Sequence, residues 1–498
     1  MNSFPETAIE GHDLKLAATG VSDPVRFWLL FVACGLVCAL VVLEPILGLG
    51  IIAAIAASCV AIYLLVATLS GEVEPTILIW VLIFPLGYYF LSFPRDRSIV
   101  TLDRVVPVLL LSALALASKD RSRPLARALR KCAVAWIVFL VFAAASLVNA
   151  SDILTSGRTL IDGFLLPAML AWVVIRNFRV RENAGALHLV TCLMALYVAG
   201  IGVAEMVLGR DLLPLPGGEI TFAGALPRPN GPFWTNDAFA LIGLVTFFLL
   251  LFLRNLLGER ISSRRRVIHF VGLTAALATA LMPMFRSMAV SLLIILLIAA
   301  LSARRPAMRL AGIVLLLVCL SGGTLIAVLA PDTYADRSNP DNIYGRIAEQ
   351  RQTWQLFSTH PIFGVGLGRF TEIVNRDTRY LAFYNGVRSV DSPHNTLGGI
   401  LAETGILGFV PYVTAQILLF LSFWRLRKGG PRGQLAWTYF LYIFLGYSIN
   451  GMTLASGYSS DLNLWFMFSI AILYKYSMNE NPVSAEVVET EAVPEYGV

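Results

Sequence analysis

The chain has 498 residues, 57% of them hydrophobic and 14% charged, with a mean hydropathy of +0.73 and a formal charge of +6. Soluble domains average about 45–50% apolar and about 25% charged, so this composition excludes a cytosolic enzyme, a secreted disulfide framework and a disordered chain. It reads as one polytopic helical bundle with one sizeable extramembrane insert, in which positive charge reports membrane orientation rather than affinity for nucleic acid.

Residues 1–26 are polar and carry Glu6, Glu10 and Asp13. They lack the pattern of a secretory signal, so they read as a cytoplasmic segment and the first apolar run stays as a span. A helix needs about 20 apolar residues to cross the hydrocarbon. Candidate spans start near Phe27, Ile46, Pro75, Arg104, Cys132, Thr159, Gly185, Asp237, Val267, Arg286, Ala307, Asn395, Gln434 and Asp461. The one at Arg104 is short, and the one at Asn395 has the look of a re-entrant piece followed by a span, so the expectation is 12–14 helices. Residues 27–330 form a bundle of about 11 spans, 331–394 a long outer loop, and 395–477 the last helices. The tail 478–498 is acidic, with five Glu and no Lys or Arg, and reads as solvated. The six cysteines, Cys34, Cys38, Cys59, Cys132, Cys192 and Cys319, lie in or beside apolar runs and read as small apolar packers. There is no short internal repeat and no P-loop pattern, so ATP is not an evident energy source.

Lys and Arg test the span model. With the N-terminus in the cytoplasm, 24 fall at cytoplasmic ends and 7 at the opposite ends, with 7 more in the long loop, which is long enough to escape the rule. All five lysines lie on the cytoplasmic side, leaving the outer side positive through arginine alone. Arginine offers a planar, permanently charged fork suited to phosphate or carboxylate, although 33 Arg to 5 Lys makes the split compatible with composition alone.

Four outward segments carry candidate chemistry. Arg228-Pro229-Asn230-Gly231-Pro232-Phe233-Trp234-Thr235-Asn236 precedes a span and reads as an anion-binding loop beside the bilayer, against the plainer reading of an aromatic interfacial anchor. Arg286 sits between two apolar runs with no polar loop to solvate it, and an arginine at membrane depth by default marks a site, unless it snorkels. In the long loop, Gly345-Arg346 opens a helical pattern with Ile347, Trp354 and Phe357 apolar and Arg351 polar, ending at His360-Pro361 and Gly364-Val365-Gly366-Leu367-Gly368. No strand precedes these glycines, so they read as a tight turn or a close approach to the membrane face rather than a dinucleotide loop, and His360 reads as a helix C-terminal residue. Finally, Ser392-Pro393-His394-Asn395-Thr396 marks the re-entry into the membrane, with Asn395 or Ser392 as helix cap and Glu403 further along. A histidine at a helix start has its neutral form favoured by the dipole, and a neutral imidazole is what a general base needs. His12, His188 and His269 face the cytoplasm on this topology. Arg158, Asp162, Glu205 and Arg210 lie near the outer ends, where the two acids are placed to pair with arginines.

Together these segments resemble the O-antigen ligase / O-antigen polymerase superfamily of bacterial membrane proteins, over roughly residues 185–470. The most specific part is His394-Asn395, nine residues, then Gly405-x-x-Gly408; the stretch from Arg346 through Trp354 to Gly368 is also similar. The Arg228 segment departs from the family pattern at Thr235, where Pro is usual, and the Arg286 motif has Phe285 in place of Ser. The resemblance implies a GT-C-like architecture in the bacterial inner membrane. It implies a metal-independent inverting glycosyltransferase without cofactors, both termini cytoplasmic and the active site facing the periplasm. The donor would be a glycan on undecaprenyl diphosphate and the acceptor a glycan or the lipid A–core, in lipopolysaccharide or exopolysaccharide synthesis. Arg228 and Arg286 would bind the diphosphate, and His394 would take the acceptor proton. Arg158, Asp162, Glu205, Arg210, Arg346, Arg351, Asn395 and Glu403 are supporting candidates. Membrane lipid and other polysaccharide-assembly proteins are the remaining expected partners, and no nucleic acid is. The competing expectation is a lipid-linked oligosaccharide flippase, which should place charges near mid-bilayer on paired repeats; this chain shows no such symmetry.

Overall fold

The computed structural model describes residues 58–94, 98–116, 127–150, 152–213, 221–223, 226–258, 262–302, 339–389, 393–454 and 456–478, with single residues 215, 313, 317, 328 and 335. The expected spans from Phe27, Ile46 and Ala307, the segment 1–26, nearly all of the acidic tail, and Cys34, Cys38 and Cys319 begin or lie outside the described residues. Each of the other eleven expected spans corresponds to a helix.

In chain order these are α1 (Glu74–Ile83), α2 (Leu102–Leu116), α3 (Arg127–Ser146), α4 (Ile153–Leu160), α5 (Leu166–Asn177), α6 (Val180–Leu208), α7 (Asn236–Leu257), α8 (Ser263–Leu281) and α9 (Arg286–Ser302). Then come α10 (Asp341–Thr359) and α11 (Phe370–Arg376) in the long loop, followed by α12 (Thr396–Leu426), α13 (Pro431–Gly451) and α14 (Ser460–Ser477). A π-helical turn, Ile161–Leu165, joins α4 to α5 into one rod. Five of the helical rods, α3, α4–α5, α6, α7 and α12, are long and apolar enough to cross a membrane. The only strands among the described residues are three two-stranded antiparallel hairpins, in connections between helices. The chain is an all-α polytopic membrane protein.

Helix α7 stands at the centre. It is apolar on every face and buried from Ala238 to Leu250, as expected of a helix enclosed by other helices. Small residues let its neighbours close in: a Cβ on Gly243 would lie 2.6 Å from the Ala280 nitrogen of α8. Cys192 is buried against Gly272, which is the packing role expected of it. His188 and His269 do not face solvent; they pair with each other across α6 and α8 at 3.1 Å, inside the bundle.

The expected re-entrant start of the Asn395 span is a break. Asn395 caps α12 by accepting the Gly398 N–H at 3.1 Å, and Gly405, further along, leaves the helical conformation at φ 62°. The break parts the normal i to i−4 bonds of Ile406 to Ala402 and of Leu407 to Glu403. The loop 361–366 slots into the gap. Ile406 and Leu407 donate to the carbonyls of Pro361 and Ile362 (2.9 and 3.3 Å), while Val365 and Gly366 donate to those of Ala402 and Glu403 (3.0 and 2.9 Å). Two helical bonds are thus replaced by four, which satisfies groups that the break exposes in an apolar setting. The backbones meet so closely that a Cβ on Gly364 would run into the Glu403 carbonyl. The Gly364-Val365-Gly366 segment therefore approaches a helix rather than the membrane face. The same loop is tied to the end of α3, where the Leu367 N–H meets Ser146 Oγ at 3.2 Å and Arg369 reaches the Asn149 carbonyl.

Candidate functional site

Several connections between helices meet at one end of the bundle. Asn450, at the end of α13, donates to Ser291 near the start of α9 (3.1 Å). Beyond α13, Thr396 at the start of α12 donates to the Leu454 carbonyl (3.3 Å) and accepts the Gly457 N–H (3.0 Å). The starts of α9 and α12 and the end of α13 are thereby linked, and with them the segments that hold Arg286 and His394.

Arg228 closes the hairpin Thr221–Ala223/Leu226–Arg228. Its Nε donates to the Pro283 carbonyl at 2.9 Å and its guanidinium lies 4.4 Å from the centre of the Phe285 ring. Pro283 and Phe285 form the turn that ends at Arg286, the exposed first residue of α9. Two arginines 58 positions apart thus share one corner. Phe285, where the resembling motif has Ser, supplies the face on which Arg228 rests.

Glu205, expected to pair with an arginine, is fully buried and instead accepts two backbone N–H groups, from Gly231 (2.8 Å) and Leu212 (3.3 Å). Gly231 lies three residues beyond Arg228 and has a left-handed φ of 57°, so Glu205 shapes the Arg228 loop, and Arg210 stands exposed just after α6.

His394 belongs to a second group that the sequence reveals only in part. Its backbone N–H donates to Oε1 of Glu349, and Oε2 of the same carboxylate receives Arg346 Nη1 at 3.3 Å. Glu349 is 2% exposed. Burial pushes its carboxyl up to about 7, with the Arg346 charge and the His394 amide pulling the other way. The His394 imidazole is pushed down to about 4, first by burial and then by the Arg346 charge. Desolvation and a neighbouring cation both favour its neutral form. Sequence reasoning missed Glu349; the signal for it is the Arg346-x-x-Glu349 spacing, which places the two on one helical face.

Of the other supporting residues, Arg351 stacks 4.7 Å from the Tyr384 ring and bonds the Phe383 carbonyl, holding a hairpin against α10. Glu403 is buried and accepts the Phe370 N–H at 3.0 Å, capping α11. His360 ends α10 as its C-cap. Asp162 pairs with Arg104, through two bonds of 2.7 and 2.5 Å. Arg104, Arg158 and Asp162 line a cavity of about 500 Å³, together with Pro232 and Trp234 of the Arg228 loop.

These features define a polytopic α-helical membrane protein with a polar, arginine-bearing site at one end of its bundle. Residues 275–413, from α8 past the break in α12, match the family model described as O-antigen ligase. That segment contains Arg286, Arg346, Glu349 and His394, and its likeness supports the O-antigen ligase / O-antigen polymerase superfamily and a function of that general type. No curated protein matches the chain by sequence.

Proposed function

We propose that the protein is a glycosyltransferase of the bacterial inner membrane. It moves a glycan from undecaprenyl diphosphate to an acceptor sugar hydroxyl at the periplasmic face, as a polysaccharide polymerase or an O-antigen ligase. The observation that carries this reading is the docking of Arg228 on the turn that leads into Arg286. In the proposed reaction the acceptor oxygen attacks the anomeric carbon, the bond to the diphosphate oxygen breaks with its electron pair going to the phosphate, and the hydroxyl proton passes to His394. A diphosphate leaving group needs its growing negative charge neutralised. Two positioned guanidinium groups near low dielectric supply that. One base on the far face of the sugar suffices for inversion, and general-base help is typically worth about 10²–10⁴-fold. An imidazole held near 4 is a weak base before the substrate arrives. An arriving diphosphate would offset the Arg346 charge and raise its basicity when the substrate is bound.

The test is reconstitution of the purified protein with lipid-linked glycan and acceptor, scoring free undecaprenyl diphosphate and the lengthened or transferred glycan. Both products should appear in step. Donor carried across the bilayer with its sugar–phosphate bond intact would establish a transporter instead.

A further inference from the structure

The cavity of about 500 Å³ holds none of the three residues assigned to the chemistry, yet it adjoins both of their groups. Pro232 and Trp234 in its wall continue the Arg228 loop. Tyr458, also in the wall, touches Gly399 on the first turn of α12, just after His394. The volume falls within the range of about 300–1,000 Å³ typical of small-molecule sites.

The wall chemistry narrows the occupant. Tyr88 and Trp234 meet edge to face, with centroids 5.5 Å apart, and form an aromatic corner. Such a ring presents a flat apolar face that accepts the C–H side of a pyranose. Opposite in character are fixed acceptors. Asp162 is held in the π-helical turn by Arg104, itself tied to the Ser98 carbonyl at 2.6 Å, and Asp103 is fixed by the Trp80 N–H at 3.2 Å. Asp461 adds a third carboxylate. A carboxylate accepts two hydroxyl hydrogens at once, and acceptors already held in place lose little ordering entropy on binding. A wall that mixes carboxyl groups with the guanidiniums of Arg104 and Arg158 disfavours a polyprenyl tail. Among the described residues no three His, Cys, Asp or Glu are placed to hold a metal ion.

We infer that this cavity is a saccharide subsite, taking a short stretch of hydroxyl-rich sugar rings from the donor or acceptor glycan beside the reacting centre. The origin of the sugar rests on the transferase reading, whereas the binding itself does not. The subsite is tested with the full-length protein in lipid nanodiscs by saturation-transfer NMR. One probe is the lipid-free oligosaccharide released by mild acid from the producing cell's lipid-linked donor, and a second is the delipidated acceptor glycan. Undecaprenyl diphosphate binding is measured separately. Trp234→Ala and Asp461→Asn are expected to weaken saccharide binding about tenfold or more, the loss of one packed ring or one charge-assisted bond, while undecaprenyl diphosphate binding persists. Arg286→Lys is expected to do the reverse. Whichever glycan shows Trp234-dependent binding identifies the source. No saccharide signal on the native protein, or a signal that both variants keep, overturns the subsite. Variant-sensitive saccharide binding by a protein that transfers nothing would leave the subsite standing and remove the transferase reading.

Discussion

Glu349→Gln separates what the buried carboxylate does for activity from what it does for stability. Shifting that carboxyl from its ordinary 4.5 to about 7 corresponds to about 3 kcal/mol disfavouring the ionised form in the fold. Because the folded value is raised, protonation favours the folded state: stability from this group is full below about 4.5 and is lost as pH rises through about 7. Activity should run the other way. Only the ionised carboxylate accepts from both the His394 amide and Arg346 at full strength, so transfer should fall as pH drops through about 7. At low donor concentration, where the rate reports the free protein, His394, pushed down to about 4, does not set that limb. Gln keeps the size and one acceptor but loses the charge. The variant should therefore be as stable as the native protein or more so at pH 8, with transfer reduced about 10–100-fold through a misplaced His394 and the acid limb near 7 gone. The assay is initial rate of glycan transfer from pH 5 to 9, beside thermal unfolding over the same range. Native rates with an unmoved acid limb would show that Glu349 does not position His394.

Other outcomes follow from the same geometry. His394→Ala should insert and fold but lose about 10²–10⁴-fold in transfer, checked by reconstituted turnover; native turnover would end its assignment as base. Arg286→Lys and Arg228→Lys should each lose most activity, because a point charge replaces neither the fork nor the stacking on Phe285; full activity of the Arg286 variant would mean that this side chain only reaches for lipid headgroups. Gly364→Ala places a side chain against the Glu403 carbonyl at a left-handed φ of 68°. It should cost about 1–3 kcal/mol, read as a lowered Tm and faster proteolysis near residue 364. Glu205→Gln should loosen the Arg228 loop and raise the donor KM more than it lowers kcat, measured by steady-state kinetics.

Much of the bundle is legible because a membrane span is written in consecutive residues. The apolar runs locate the described helices, and the cap at Asn395 and the break at Gly405 follow from local rules. What the glycines at 364 and 366 do is not legible, since the Ala402 and Glu403 carbonyls that Val365 and Gly366 meet lie about 40 residues away in α12 and only the break leaves them unpaired. Glu205 shows the same limit: it reads as a charge to be paired with an arginine, yet it serves backbone amides. Glu349, which the sequence reading passed over, shares itself between Arg346 and the His394 amide. The Asn385-Gly386 turn, whose positive φ values of 48° and 80° suit a tight hairpin, is a readable signal that the apolar pattern of the long loop obscures. The inward pairing of His188 with His269 depends on how α6 meets α8, which periodicity does not specify.

A structure of the protein in lipid nanodiscs with undecaprenyl diphosphate bound would bear on the arginine–histidine site without any intermediary. The diphosphate should sit between the Arg228 and Arg286 guanidinium groups, with the His394 imidazole facing the end of the carrier that bears the sugar. A diphosphate seated away from both arginines, or on the opposite side of the bilayer from His394, would overturn the transferase reading.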